Sequence, residues 1–356
     1  YEAVLRAVPP DTLGFAPGDG EALRQWLQQT LQPPAQRRTA LAEGPILAVA
    51  SPDTQHLLQK PLFSALRRRL GRNGASVEDR LKALYPTMTE EDVTAHAQSL
   101  SSTAGQRLLR ELETQKKNLL KALQNWHRLP AAGSRQRLPA LPELLFRRRL
   151  ATLIQDSWEQ AGKGYKTAFG DQQFGSELDL SGEAINGFLQ NFPLLNPPLN
   201  HITSLNLAGT HFTDASTPFL SNFPNLRSLD ITSKHLTAFP NAITGMPRLT
   251  RLGLGENPIR WTPQALEQLK HLQHLKVLVL SYNEHLSTPP DISRMPELHI
   301  LMLNNTLVSH WPVGLFELPR ASNFTLSLLN TPINQVPQVP PRSLSADSIA
   351  RTRLAH

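Results

Sequence analysis

Between Leu178 and Ile333 the chain returns again and again to one short apolar pattern, and the interval of return is what most restricts its fold. The pattern is L-x-x-L-x-L-x-x-N-x-L, met without a gap at Leu249, Leu252, Leu254, Asn257 and Ile259. It recurs at Ile202, Leu205, Leu207, Thr210 and Phe212, at Leu226, Leu229, Ile231, Lys234 and Leu236, and at Leu298, Leu301, Leu303, Thr306 and Val308. Leu275, Leu278, Leu280, Asn283 and Leu286 fit with one extra residue before the last leucine. Weaker copies stand at either end: Leu178, Leu180, Glu183 and Ile185, then Leu326, Leu328, Thr331 and Ile333. Measured on the second leucine, the intervals are 27, 24, 23, 26, 23 and 25 residues.

A unit this short cannot close a core alone, so each must stack on the next. The period of two within L-x-L marks a strand with one buried face, and the later apolar residue covers the leucines of the neighbouring coil. These are the spacings of leucine-rich repeats, and they predict a solenoid over residues 171–340 with a parallel β-sheet on its concave side. The Asn position lets a side-chain amide satisfy the turning backbone. Asn257 and Asn283 supply it, Thr210, Thr306 and Thr331 substitute more weakly, and Lys234 departs, so its coil is expected to be looser. Phe239-Pro240-Asn241-Ala242-Ile243 and Trp311-Pro312-Val313-Gly314-Leu315-Phe316 read as connectors whose prolines discourage long helices.

The first half has a helical period instead. Asp19 can cap a helix carrying Leu23, Trp26, Leu27 and Leu31, ended by Pro33-Pro34. Ser76 with Asp79, and Thr89 with Asp92, have capping-box spacing. From Thr103 to His127 the residues Leu108, Leu109, Leu112, Leu119, Leu120, Leu123 and Trp126 form a stripe, with Glu111 through Lys117 read as the charged opposite face. After a Pro/Gly/Ser/Arg-rich break from Leu129 to Pro142, a helix bearing Leu145, Leu150, Ile154 and Trp158 runs to Gly162 and Gly164. The fold class predicted is therefore α+β: an α-helical region over 1–170, its last helices capping the repeats, and then the solenoid over 171–340. Leu150, Ile154 and Trp158 are the nearest apolar cover for Leu178 and Leu180.

Charge and composition narrow the function. The net charge of +7 lies in the first half: residues 1–170 hold 24 Lys and Arg against 16 Asp and Glu. That balance raises a nucleic-acid or anionic-membrane partner, which would show as steep salt dependence. However, the runs Arg67-Arg68-Arg69 and Arg147-Arg148-Arg149 lack interleaved aromatics and read as solvated helix faces, so nucleic acid is disfavoured. No run is long and apolar enough to span a membrane. With no cysteine, these residues hold no disulfide, thiolate metal site or cysteine nucleophile. Neither G-x-S-x-G, H-E-x-x-H nor a P-loop is present, so no catalytic, cofactor-binding or metal residue is assigned. His271, His274 and His285 make a weak metal motif, read as solvated histidines.

Four stretches together carry a resemblance. They are Leu81-Lys82-Ala83-Leu84-Tyr85-Pro86-Thr87-Met88-Thr89, the leucine-rich helix to Trp126, the Arg147-Arg148-Arg149 helix with Trp158, and Ser176-Glu177-Leu178-Asp179-Leu180-Ser181-Gly182. They resemble the large secreted proteins of pseudomonads and related bacteria that end in a NEL-type ubiquitin ligase domain, and Thr203-Ser204-Leu205-Asn206-Leu207 is similar to the start of their repeat array. The resemblance implies an effector secreted by a bacterium into the host cell cytoplasm, with repeats that choose a host protein. It also implies a following domain, with residues 341–356 as the linker toward it, that meets ubiquitin and the conjugating enzyme through a cysteine, a residue these 356 positions lack. The alternative is a non-enzymatic repeat scaffold. A longer gene product with a cysteine-bearing helical domain would separate the two.

Binding residues follow from the strand pattern. The x positions point from the leucine layer onto the sheet face, where neighbouring strands stack them about 5 Å apart. The columns contain Arg227, Asp230 and Thr232, then Arg251 and Glu256, then Lys276 and Tyr282, then His299, Met302 and Asn304. Tyr282, Arg251 and Met302 are the residue types that most often dominate interfaces.

Overall fold

The structure is a computed structural model and describes residues 75–129, 141–160 and 175–335, apart from single positions, with the backbone of two short strands between them. The Asp19 helix, Arg67-Arg68-Arg69, Gly162, Gly164 and residues 341–356 lie outside the described residues. All described elements fall in one compact unit, residues 69–356.

Four helices come first: α1 Val77–Leu84, α2 Glu90–Leu100, α3 Thr103–His127 and α4 Leu141–Glu159. The two capping residues act as their spacing demands. Ser76 Oγ accepts from Asp79 N at 3.1 Å, and Thr89 Oγ1 accepts from Asp92 N at 3.2 Å while donating to the Asp92 carboxylate. Each cap satisfies a donor that the first helical turn would leave unpaired.

The α3 stripe differs from the sequence reading in two places. Leu109, Leu119, Leu120, Leu123 and Trp126 are buried, but Leu108 is 48% exposed and Lys116 is buried with them. Leu109 and Leu108 are adjacent, so both cannot face one neighbour. Lys116 stands seven residues after Leu109, two turns along the same face. Its ammonium donates to Ala83 O at 2.9 Å and Leu84 O at 2.6 Å and pairs with Glu159 at 3.0 Å. The lysine thereby joins α1, α3 and α4 by satisfying the last carbonyls of α1. Burial pulls its pKa down against the opposing pull of Glu159.

Arg147 likewise corrects the reading of the triple arginine as a solvated face. Its guanidinium is buried, pairs with Glu143 one turn back, and donates to Trp126 O at 2.8 Å and Leu129 O at 2.5 Å. Arg149 does reach solvent, where it pairs with Glu183. Arg320 repeats the device among the coils, donating to Met295 O, Ile292 O and Gly314 O. In all three, one cation replaces the donors that converging carbonyls lack.

After the antiparallel pair β1 Tyr165–Lys166 and β2 Gln172–Gln173 come the strands of the repeats. They are β3 Ser176–Asp179, β4 Ile202–Asn206, β5 Ser228–Asp230, β6 Arg251–Gly253, β7 Val277–Val279, β8 Ile300–Met302 and β9 Thr325–Ser327. They pair in sequence order as one seven-stranded parallel sheet. Leu178, Leu205, Leu229, Leu252, Leu278, Leu301 and Leu326 stand opposite one another, so the leucines that set the sequence interval set the register.

Connectors on the other side are short, as the prolines require. Residues Asp214–Asn222 and Asn241–Gly245 are 3-10 turns. The 26-residue interval between β6 and β7 has room for α5 Pro263–Lys270, capped by Thr262 and unforeseen in the sequence. Strands repeat about every 4.8 Å while helical connectors need about 10 Å, so stacking places the sheet on the inner side of a curve.

One apolar core runs from Leu119, Leu123, Trp126, Phe146, Leu150 and Ile154 through Leu178 and Leu180 to Ile333. The expected contact between α4 and the first coil is thus present. Trp158 is partly buried and packs against both this core and that of the first helices, stacking on Tyr85 at 5.3 Å.

At the turns, Asn257 donates to Ile231 O, Leu254 O and Gly255 O and accepts from Leu236 N and Ser233 Oγ. Asn283 does similar work, bridging to Leu254 O of the preceding coil. Thr210, Thr306 and Thr331 bond only to the carbonyl three residues back. The coil of Leu229 is shifted by one: Ser233 occupies the buried turn position and Lys234 is exposed with φ 67°. Lys234 is therefore not in the Asn place, because a buried ammonium there would have no counterion.

Candidate functional site

The sheet face opposite the connectors is built from two columns that the register defines. One runs Ser204, Ser228, Arg251, Val277, Ile300 and Thr325, and the other Asn206, Asp230, Gly253, Val279, Met302 and Ser327. Of the ten residues proposed from sequence, only Asp230, Arg251 and Met302 lie on the strands. Arg227, Lys276 and His299 directly precede them, and Thr232, Glu256, Tyr282 and Asn304 follow.

Several of these polar groups are engaged within the fold. Asp230 accepts from Thr232 N at 3.0 Å and from Thr232 Oγ1 at 2.7 Å, closing the strand end as a local turn. Arg251 lies 4.0 Å from the Asp230 carboxylate, its guanidinium pulled down by burial with that carboxylate opposing. Gly253 makes room for this pair, since a Cβ there would stand 2.9 Å from the Asp230 carboxylate. Asn304 accepts from Leu329 N of the next coil at 3.0 Å. Lys276 and His274 share Glu297, at 3.7 and 3.1 Å, and His299 bonds to the backbone of Glu297. Hydrogen bonding to His274 leads the effects that hold the Glu297 carboxyl below its ordinary range.

What the sequence reading missed, Met302 apart, is apolar. Val277, Val279, Ile300 and Met302 are half-buried neighbours on the two columns, beyond Arg251 and Asp230. The signal was present: in Val277-Leu278-Val279 and Ile300-Leu301-Met302 the x positions that should alternate to polar do not. The exposed face is therefore polar toward β3 and apolar toward β8.

Beyond the strand ends, Lys234, Glu256, Asn257, Pro258, Tyr282 and Glu284 line an open cleft of about 430 Å³. Tyr282 is 58% exposed. Glu256 and Tyr282 have φ of 55° and 61°, as their backbone N–H groups reach Ser281 O and Asn304 O of the next coil, both at 2.8 Å.

A second cleft, of about 300 Å³, lies among Tyr85, Leu112, Trp158, Leu194, Pro197 and His201. Here Ser157 Oγ is 3.0 Å from His201 Nε2, which superficially matches a nucleophile and its base. Ser157 Oγ donates to Ile154 O at 2.8 Å and so accepts from His201, the reverse of what activation requires. Burial pulls the His201 pKa down to about 4, so the ring is neutral.

His271, His274 and His285 do not converge, each standing beside a different carboxylate, Glu267, Glu297 and Glu284. Among the described residues no group of three metal-binding side chains gathers. Nor is any helix among them long and apolar enough to cross a membrane.

The leucine rich repeat family matches residues 200–259. A human relative, leucine-rich repeats and immunoglobulin-like domains protein 3, is 29% identical over 126 residues, 35% of this chain and 11% of its own length. The disease resistance protein UNI of Arabidopsis thaliana is 38% identical over 80 residues, 22% of this chain and 9% of its own. The chain thus spans about a tenth of the length of the curated relatives it matches. Among solved structures, an internalin C2 of Listeria monocytogenes is 20% identical, with a TM-score of 0.37 over 66% of this chain and 92% of that one. A leucine-rich-repeat protein of Leptospira interrogans is 21% identical, with a TM-score of 0.34 over 67% and 69%. The family match over residues 200–259 and the parallel ladder of strands at repeat spacing agree on a leucine-rich-repeat fold for the array, with helices preceding it.

Proposed function

We propose that the array is a protein-binding domain that takes its partner on the open face of the sheet, and that it selects the host target of a secreted bacterial effector. The observation that carries the binding reading is the apolar quartet Val277, Val279, Ile300 and Met302 held half-exposed beside a polar half-face. Apolar side chains grouped on a surface and rimmed by polar ones are a binding signature, since solvation alone gives no reason to group them. Helices α3 and α4 act in this reading as the N-terminal cap, covering a leucine layer that would otherwise meet water.

The effector reading is supported by the resemblance to the NEL-type ligases over the helical preface and first repeat. With no cysteine here, the ubiquitin-accepting step belongs to a domain outside these 356 residues, and this chain neither forms a ubiquitin thioester nor builds chains. The gene sequence tests it: a downstream helical domain with a cysteine supports the ligase reading, and an immediate stop codon removes it. The binding reading is tested by panning a random twelve-residue peptide display library on the full chain. Enriched peptides should lose binding to Val279→Lys and to Met302→Lys, but not to Val313→Lys on a connector. Peptides indifferent to both face variants would exclude the sheet face.

A further inference from the structure

We propose that the segment bound on this face sets an apolar side chain on Val277, Val279, Ile300 and Met302 and a lysine or arginine side chain into the cleft of Tyr282, Glu256 and Glu284. This rests on the binding reading above and adds the chemistry of the occupant.

Charge and aromaticity carry the argument. Lys234 pairs with Glu256 at 3.5 Å, so that Glu284, 74% exposed and 3.6 Å from His285 Nε2, is the second carboxylate of a cleft whose lining holds one lysine, beside the exposed Tyr282 ring. A cation over that ring gains from the negative face of the aromatic within about 6 Å, and a carboxylate at the rim adds a charge-assisted hydrogen bond. An acidic occupant would meet repulsion there. Tyr282 lies three residues beyond Val279 on one coil, roughly 10 Å of extended chain, so a single peptide segment can reach both features.

The identity of the cleft residues is not what the backbone favours. At the equivalent turn position other coils carry Gly182, Gly209, Asn305 and Asn330, all with positive φ and all of types that adopt it readily. In the middle of the array that conformation is taken instead by Glu256 and Tyr282 and, one place later in its coil, by Lys234, all three of which line the cleft. Side chains held where glycine or asparagine would be more stable point to a role outside folding.

The test uses the peptides enriched on the full chain, with Kd read by fluorescence anisotropy against the wild type and the Tyr282→Gly/Glu284→Gln variant. The enriched peptides should share a lysine or arginine about three residues from an apolar residue. The variant should bind them at least tenfold more weakly while its urea midpoint stays equal or rises. Replacing the basic residue by alanine should cost the wild type the same factor and the variant almost nothing. If Val279→Lys abolishes binding but the cleft variant binds like the wild type, or the peptides share no basic residue, the inference falls and the binding reading stands. If no enriched peptide responds to Val279→Lys or to the cleft variant, both fall.

Discussion

Replacing Lys116 by methionine keeps a side chain of similar length in the seam of α1, α3 and α4 but removes its charge and all its donors. The lysine side chain is 1% exposed and satisfies Ala83 O, Leu84 O and the Glu159 carboxylate, itself 11% exposed. A buried acceptor left without a partner costs about 1–3 kcal/mol, and here two carbonyls and a carboxylate lose theirs together. Water can reach Glu159 in part, and loss of the lysine's own desolvation offsets some of the total. The net expectation is about 3–5 kcal/mol, the range for breaking a buried pair on one side. With a urea dependence of about 3 kcal/mol/M, the midpoint should fall by roughly 1 M or more. The assay is urea unfolding followed by far-UV circular dichroism, with Lys117→Met beside it. Lys117 is exposed, so its substitution should stay within about 0.5 kcal/mol of the wild type. Adding Glu159→Gln to Lys116→Met should recover part of the loss, since it removes the uncompensated charge. If Lys116→Met and Lys117→Met unfold alike, the keystone assignment of Lys116 is wrong.

Other consequences can be measured the same way. Asn257→Ala strips a buried turn of donors to three carbonyls and should cost about 3 kcal/mol, against about 1 kcal/mol for Thr306→Val, which removes one bond; equal costs would contradict the ladder described. Gly314→Ala places a Cβ 2.3 Å from the Ser293 backbone at φ 85°, so it should cost more than the ~1–2 kcal/mol of a left-handed residue alone, and a neutral outcome in thermal unfolding would refute that packing. His201 titrates at about 4 folded against 6.5 free, so its contribution is complete above pH 6.5 and is lost as the pH falls through 4. Between pH 7 and 4 the wild type should therefore lose about 3 kcal/mol more than His201→Gln, and identical pH profiles would remove the role of His201.

Short-range periodicity determined much of this protein from sequence alone. Leucines at 23 to 27-residue intervals fix coil length, strand direction and register together, because only one alignment buries Leu178, Leu205, Leu229, Leu252, Leu278, Leu301 and Leu326 in a single layer. Ser76 with Asp79 and Thr89 with Asp92 likewise place helix starts, since a cap reaches a donor only three residues away. The tertiary structure decided whatever depends on residues distant in the chain. Lys116 and Arg147 look solvated because they are charged, yet each sits on the spacing of an apolar stripe, and the carbonyls they satisfy lie up to 33 and 21 residues away. The turn at Ser233 and Lys234 is displaced by one because the neighbouring coil's Asn257 meets Ser233 there. The apolar quartet on the open face exists only when β7 and β8 are side by side. Sequence lists which side chains leave the leucine layer, but stacking decides which of them become neighbours, and a partner meets the neighbours.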